Sequence, residues 1–88
     1  MRISTISALT ALGVVVSVQP ALAASCYDLW YERNAIYDRN GYCFSTRLGQ
    51  DTFDNSDCYT KDVQFSQSEQ HQIDRIRNEE YDRGCNVN

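Results

Sequence analysis

Two segments of the chain carry inward-facing side chains at the spacing of an amphipathic helix. In the first segment these positions recur at i, i+3, i+4 and i+7, which places them on one helical face. They are Cys26, Leu29, Trp30, Arg33, Ile36 and Tyr37. Ser25 and Asp28 have the spacing of a capping box, and Gly41 supplies a left-handed residue past the end. The pattern predicts a helix from Cys26 to Arg39.

The second segment has a less regular apolar stripe opposite a mostly charged face. Its inward positions are Ile73, Ile76 and Tyr81. Ser66 and Glu69 form another capping-box pattern, and Gly84 closes the segment. We therefore predict a second helix from Gln67 to Asp82.

The connection between the helices, residues 42 to 65, contains no strand of convincing length. Only residues 42 to 45 are candidates for an extended segment, and Leu48 to Phe53 fits one helical turn with Phe53 inward. Residues 54 to 57 have turn chemistry throughout. Two helices of similar length with one connection pack most simply antiparallel. The fold class expected is all-α: a small, disulfide-stapled antiparallel helical hairpin with a structured connecting loop.

The four cysteines allow three disulfide pairings. An antiparallel hairpin favours Cys26–Cys85 at one end and Cys43–Cys58 at the other. A crossing pair would have to span a helix of about 20 Å, whereas bridged Cα atoms lie within about 7 Å. Zinc binding or thiol redox chemistry would call for cysteines in close pairs, and the sequence has no C-x-x-C. We expect no metal and no cofactor.

The N-terminus has the three parts of a secretory signal peptide. Met1-Arg2 is positively charged, residues 6 to 18 are apolar or small, and Ala21-Leu22-Ala23 is a peptidase site. We predict a signal peptide at residues 1–23, a domain at residues 24–88, and a secreted or periplasmic protein. The apolar run is shorter than the roughly 20 residues of a membrane span, so stable insertion is not expected. A lipid-bearing Cys26 is the alternative, but it would leave three thiols.

The domain is acidic and small. Without Arg2, seven of the eight basic side chains remain against twelve acidic ones, a net charge of −5. This balance argues against nucleic acid and anionic lipid as partners. A chain of this length has a marginal core and needs staples. The core candidates are Leu29, Trp30, Ile36, Tyr37, Tyr42, Phe44, Leu48, Phe53, Val63, Phe65, Ile73, Ile76 and Tyr81.

Residues 37 to 41 read Tyr37-Asp38-Arg39-Asn40-Gly41 and lie within a longer pattern. The rest of the pattern is Leu29, Trp30, Arg33, Asn34, Ile36, Tyr42, Phe44, Phe53, Ser66, Glu69, Ile76 and Glu80. It resembles the YARHG domain, a family named for a Tyr-Ala-Arg-His-Gly motif. The four-cysteine form looks like a stand-alone secreted bacterial variant. The resemblance implies a small extracytoplasmic domain with a binding or cell-surface role and no catalytic mechanism. Asn40 replaces the motif's histidine, the one candidate for a general base.

The residues themselves favour structural roles for most of this pattern. Arg33 lies in the apolar stripe, so we expect its guanidinium to pair with Glu80, or otherwise with Glu79. The alternative is an arginine that recognises an anion or a peptide. Asn34 is expected to bond the backbone of the loop. Most of the tyrosines should be core, whereas Tyr31 should face water and contribute to a glycan-stacking surface.

Catalytic constellations are scarce. The carboxylate pairs Glu79/Glu80 and Asp54/Asp57 would need a cleft that separates their pKa values. His71 has no orienting partner in the sequence. We therefore expect a non-enzymatic binding or structural module whose partner is unknown, with an envelope protein or cell-wall glycan as candidates. One alternative is a small enzyme, a secreted enzyme inhibitor or a small hydrolase-associated protein, which predicts a pocket with perturbed carboxylates or a rigid protruding loop such as residues 50–57. The other is a structural subunit of an envelope assembly.

Overall fold

The computed structural model describes residues 24–87, so the predicted signal peptide, residues 1–23, lies outside the described residues. Within residues 24–87 there are three helices, α1 (Cys26–Arg39), α2 (Arg47–Thr52) and α3 (Gln67–Asp82). Both long helices begin and end at the residues that the sequence predicts. Helices α1 and α3 pack together, and this part of the chain forms no strand. The predicted all-α, disulfide-stapled fold is confirmed.

The helix starts are fixed by side chains of the chain itself. The Ser25 hydroxyl accepts from the Asp28 N–H, and the Asp28 carboxylate accepts from the Ser25 N–H, both at 3.0 Å. Ser66 and Glu69 make the same reciprocal pair at 3.1 and 3.0 Å. Thr46 caps α2. Both long helices end before a glycine with positive φ, as predicted. Each cap contributes about 1 kcal/mol, so these short motifs set the bounds of the helices.

Two apolar clusters share α1. The first lies between α1 and α3 and consists of Leu29, Ile36, Ile73 and Ile76. The second lies between α1 and the connection and consists of Trp30, Phe44 and Phe53. Because the two clusters use different faces of α1, this helix is the central element of the domain.

Tyr81 does not belong to this core, so its predicted inward position is wrong. Its side chain is 86% exposed. Each residue advances a helix by about 100°, so the inward position after Ile73 and Ile76 falls on Glu80. Glu80 occupies that position because it pairs with Arg33 of α1. The sequence pattern predicts an aromatic ring on this face, and an ion pair lies there instead.

The connection is structured without being regular. Tyr42 and Thr60 form an isolated parallel bridge, and the Cys43 N–H donates to the Thr60 carbonyl at 2.9 Å. Helix α2 begins one residue before the predicted turn, and Phe53, which follows it, is buried as predicted. The connection therefore delivers an aromatic side chain to the outer face of α1.

The two disulfides close the two ends of the hairpin. Cys26 is bonded to Cys85 with a Cα–Cα distance of 5.4 Å, and Cys43 to Cys58 with 5.0 Å. This is the pairing that the antiparallel arrangement predicts. Chain entropy alone gives about 4 kcal/mol for the longer loop and about 3 kcal/mol for the shorter. Their sum is comparable with the whole stability of a small domain.

Candidate functional site

Arg33 pairs with Glu80, as predicted. The Arg33 guanidinium donates to the Glu80 carboxylate through Nε–Oε1 at 2.8 Å and Nη2–Oε2 at 3.0 Å. The two side chains are only 18% and 13% exposed. A planar fork that meets a carboxylate in this way is both strong and directional. The charge of Arg33 is therefore satisfied inside the domain, and the residue braces α1 against α3.

Asn34 is buried but does not bond the loop, so that prediction is wrong. Its amide donates to the Trp30 carbonyl of its own helix at 2.9 Å. Asn55 bonds the loop backbone instead: it accepts from the Phe44 N–H and donates to the Phe44 carbonyl, both at 3.0 Å. The Asn55 amide thus bonds both backbone groups of Phe44, as the backbone of a neighbouring β-strand would. The sequence had shown Asn55 only as a turn residue, because its partner is 11 residues away.

Two residues of the 37–41 motif converge on the start of α3. The Glu69 carboxylate accepts from Arg39 Nη2 at 3.3 Å and from Asn40 Nδ2 at 3.1 Å. Asn40 also donates to the Ile36 carbonyl at 2.8 Å, at the end of α1. Hydrogen bonds from the Ser66 N–H, Asn40 and Arg39 lower the pKa of Glu69. Asn40, at the motif's histidine position, therefore ties two helix ends together.

Gly41 is required by its backbone and by its surroundings. Its φ of 84° is a conformation that other residues rarely adopt. The Tyr59 ring lies directly on it, and a Cβ at this position would overlap that ring. The Tyr59 N–H also donates to the Gly41 carbonyl at 2.8 Å. Gly41 therefore allows the connection to close over the end of α1.

The remaining motif aromatics form the framework. Tyr37 meets Tyr42 edge to face with ring centroids 5.3 Å apart, and Phe65 at 4.9 Å. Its hydroxyl accepts from Arg77 Nη2 at 2.8 Å. Tyr42 in turn meets Phe44 at 5.0 Å. Tyr37 and Tyr42 thus pack against the core as partly buried residues, and the Tyr37 hydroxyl reaches a polar partner as the sequence predicted.

One aromatic series reaches the surface. Phe44 and Phe53 stack at 5.0 Å in the core, and Phe53 lies 6.0 Å from Trp30. Tyr31 lies 5.1 Å from Phe53, and Tyr27 lies 5.4 Å from Trp30. Tyr27 and Tyr31 are each 45% exposed, with ring centroids 6.3 Å apart. We call this pair the Tyr27–Tyr31 patch; it rests on buried rings.

The exposure of Tyr31 was predicted, whereas Tyr27 was missed. The signal was present in the sequence: the two residues are four apart, so they neighbour each other on a helix surface. What the sequence does not show is the support beneath them. That support comes from Phe53, which lies beyond α2 and reaches α1 only through the fold of the connection.

Carboxylates lie farther along the same side of the domain. Burial raises the pKa of Asp38, and the negative charges of Asp57 and Asp54 raise it further. The charges of Asp57 and Asp54 therefore act on Asp38. The Ser56 N–H donates to Asp54 at 2.8 Å, and this bond lowers the pKa of Asp54.

The candidates for acid–base chemistry are engaged elsewhere. Glu80 holds Arg33, and Glu79 accepts from Arg83 at 2.8 Å. His71 is exposed on α3. An open groove of about 310 Å³ lies between α1 and α3. It is lined by apolar and charged side chains of both helices, among them Leu29, Glu32 and Glu79. Among residues 24–87, no group of three or more histidine, cysteine, aspartate or glutamate side chains is placed to hold a metal ion.

The comparisons with known proteins give one match. A family model described as "YARHG domain" matches residues 16–84. No curated protein and no solved structure is significantly similar to the chain. None of the helices within residues 24–87 has the length and apolar character needed to cross a bilayer. Because the family model covers most of the 88 residues, the chain belongs to the YARHG domain family.

Proposed function

We propose that the protein is a secreted or periplasmic binding module that docks a component of the cell envelope through the Tyr27–Tyr31 patch, without acting on it as an enzyme. Its two disulfides and its family fit an extracellular or periplasmic protein. Localisation through the predicted signal peptide, residues 1–23, is part of this proposal.

The observation that carries the proposal is an exposed aromatic pair on a rigid base. Tyr27 and Tyr31 are each 45% exposed, although each ring lies beside a buried aromatic ring. Their supports, Trp30 and Phe53, are 4% and 7% exposed and packed in the core. Tyrosine loses little conformational entropy on binding and combines apolar area with a hydroxyl. A pair already held in place suits a binding surface.

The prominent polar side chains of the family motif support the same proposal, because they are bonded to other side chains of the domain. Arg33 is held by Glu80, and Arg39 and Asn40 are held by Glu69. Motif side chains that are bonded in this way hold the helices together and are not free to bind a partner. Recognition is then left to residues outside the motif, such as Tyr27 and Tyr31.

A second candidate, an enzyme inhibitor acting through a protruding loop at residues 50–57, is less well supported. Gln50 donates to the Phe44 carbonyl at 2.9 Å, and Asn55 bonds both backbone groups of Phe44. The Cys43–Cys58 bridge follows immediately. The loop is therefore tied back onto the core, which favours the helix face over the loop as the contact surface.

The test is retention by isolated envelope, measured as pull-down of envelope proteins and co-sedimentation with peptidoglycan. The variants are Tyr31→Ala and, as a matched control, Tyr81→Ala on α3, a residue that is 86% exposed. We expect retention of the wild type and of Tyr81→Ala, with at least a tenfold loss for Tyr31→Ala, which corresponds to about 1.4 kcal/mol. Circular dichroism verifies that both variants fold. Wild-type protein retained by neither material, or equal retention of both variants, would refute the proposal.

A further inference from the structure

We propose, building on the function above, that the partner at the Tyr27–Tyr31 patch is a basic protein segment, whose apolar side chains cover the two rings while its arginines or lysines reach the carboxylates of Asp38, Asp54 and Asp57.

The first support is the alignment of these groups along α1. Tyr27, Tyr31 and Asp38 are separated by four and then seven residues, so they lie along one face of the helix. Ala35 lies between the rings and Asp38, with its methyl packed against the aromatic cluster. Seven residues of helix span about 10 Å. An extended peptide covers that distance with about three residues, whereas a single small ligand would not reach both ends.

The connection supplies the second side of this surface. Phe53 contacts the Tyr31 ring at 5.1 Å, and Asp54 is the next residue. Asp57 and Asp54 lie close enough to Asp38 for their charges to act on it. The surface therefore combines the aromatic pair with carboxylates from two separate segments of the chain.

The third support is the lack of compensating positive charge. The four salt bridges among residues 24–87 use the basic side chains of Arg33, Arg39, Arg47 and Arg83. None of these four bridges involves Asp38, Asp54 or Asp57. Lys61 donates to the Cys43 carbonyl at 2.6 Å and lies over the Tyr42 ring. These three carboxylates therefore have no salt-bridge partner among the four bridges of the described residues.

These charges decide between a protein and a glycan. Like charges held together disfavour their own ionised forms, and a neutral sugar relieves none of that repulsion. An arginine or lysine relieves it, steers association at long range and can also rest on a tyrosine face. Among partners that an aromatic pair would accept, the carboxylates therefore select a cationic polypeptide.

The experiment is selection from a random library of displayed 12-residue peptides on the disulfide-intact domain, with counter-selection on the Tyr31→Ala variant. We expect the enriched peptides to share an apolar residue about three positions from a pair of basic residues. A synthetic copy of the most enriched peptide should bind at least tenfold more weakly to Tyr31→Ala and to Asp38→Asn/Asp57→Asn. Binding should also weaken as salt rises.

The matched controls lie on α3: Tyr81→Ala and Asp74→Asn/Asp82→Asn should bind the peptide as the wild type does. Enrichment of neutral or acidic peptides, no enrichment, or equal loss in the control variants would overturn the inference. A tetramer of N-acetylglucosamine is tested in parallel. If it binds through Tyr31 and is indifferent to the Asp38→Asn/Asp57→Asn change, the basic-peptide inference fails while the proposed function stands. If envelope retention itself is unaffected by Tyr31→Ala, both fail.

Discussion

Replacing Arg33 by methionine removes the brace between α1 and α3 while keeping a long apolar stem. In the wild type the guanidinium makes two bonds to Glu80, at 2.8 and 3.0 Å. Methionine preserves the packing of that stem but leaves the Glu80 carboxylate without its partner. The change therefore tests the charge and its hydrogen bonds separately from the burial of the side chain.

The expected magnitude follows from burial. Exposed ion pairs contribute about 0 to 1 kcal/mol, whereas breaking a buried pair from one side costs about 3 to 5 kcal/mol. Arg33 and Glu80 are 18% and 13% exposed, which places them nearer the buried case. We expect Arg33→Met to cost about 2 to 3 kcal/mol. For a domain of this size that loss lowers the Tm by roughly 10 to 20 °C.

The assay is urea and thermal unfolding of a double-mutant cycle with the disulfides intact. The cycle consists of wild type, Arg33→Met, Glu80→Leu and the double variant. Because the double variant leaves no unpaired charge, it should be more stable than Arg33→Met and lie within about 1 kcal/mol of wild type. An unchanged Tm for Arg33→Met, or strictly additive effects, would show that the side chain does not brace the helices.

Three further outcomes are expected. Gly49→Ala should destabilise the domain by about 1 to 2 kcal/mol in urea unfolding, because its Cβ would lie 2.8 Å from the Phe44 ring and overpacking outweighs the gain in helix propensity; wild-type stability would show that Phe44 can move aside. Cys43→Ser/Cys58→Ser should lower stability by about 3 kcal/mol, and an unchanged urea midpoint would argue against that bridge. For Asp38 the folded-state pKa lies above the ordinary 3.8, so folding favours its protonated form. The resulting contribution to the free energy of unfolding is present below pH 3.8 and is lost as pH rises through the folded-state pKa. Asp38→Asn should therefore stabilise the domain at pH 7 and not at pH 3, and if basic peptides bind as proposed it should weaken binding while raising stability. Equal effects on stability at both pH values would contradict the Asp38 reasoning.

The sequence predicted the features that depend on local chemistry or on one clear geometric argument. The capping boxes at Ser25 and Ser66 fixed both helix starts, since a cap depends on residues three apart. The partner of Arg33 was predictable because an arginine in an apolar stripe needs a carboxylate on the helix it faces.

The errors arose where the connection or the exact helical phase decides the outcome. Tyr81 was assigned inward because an aromatic residue was given more weight than the 100° advance that places Glu80 there. Asn34 was expected to bond the loop backbone, a role that Asn55 has instead, because nothing local says which amide meets the backbone of Phe44. The support for Tyr31 also escaped the sequence, since Phe53 reaches it only after α2 has turned the chain.

The central claim is that the Tyr27–Tyr31 patch is the contact surface. Site-specific photo-crosslinking in cells that make the protein measures it most directly. A photoreactive phenylalanine analogue is placed in turn at Tyr27 and Tyr31, and at Tyr59 and Tyr81, which are 77% and 86% exposed. We expect a discrete cross-linked product from the first two positions and none from the other two. Products from Tyr59 or Tyr81 alone, or the same products from all four positions, would contradict it.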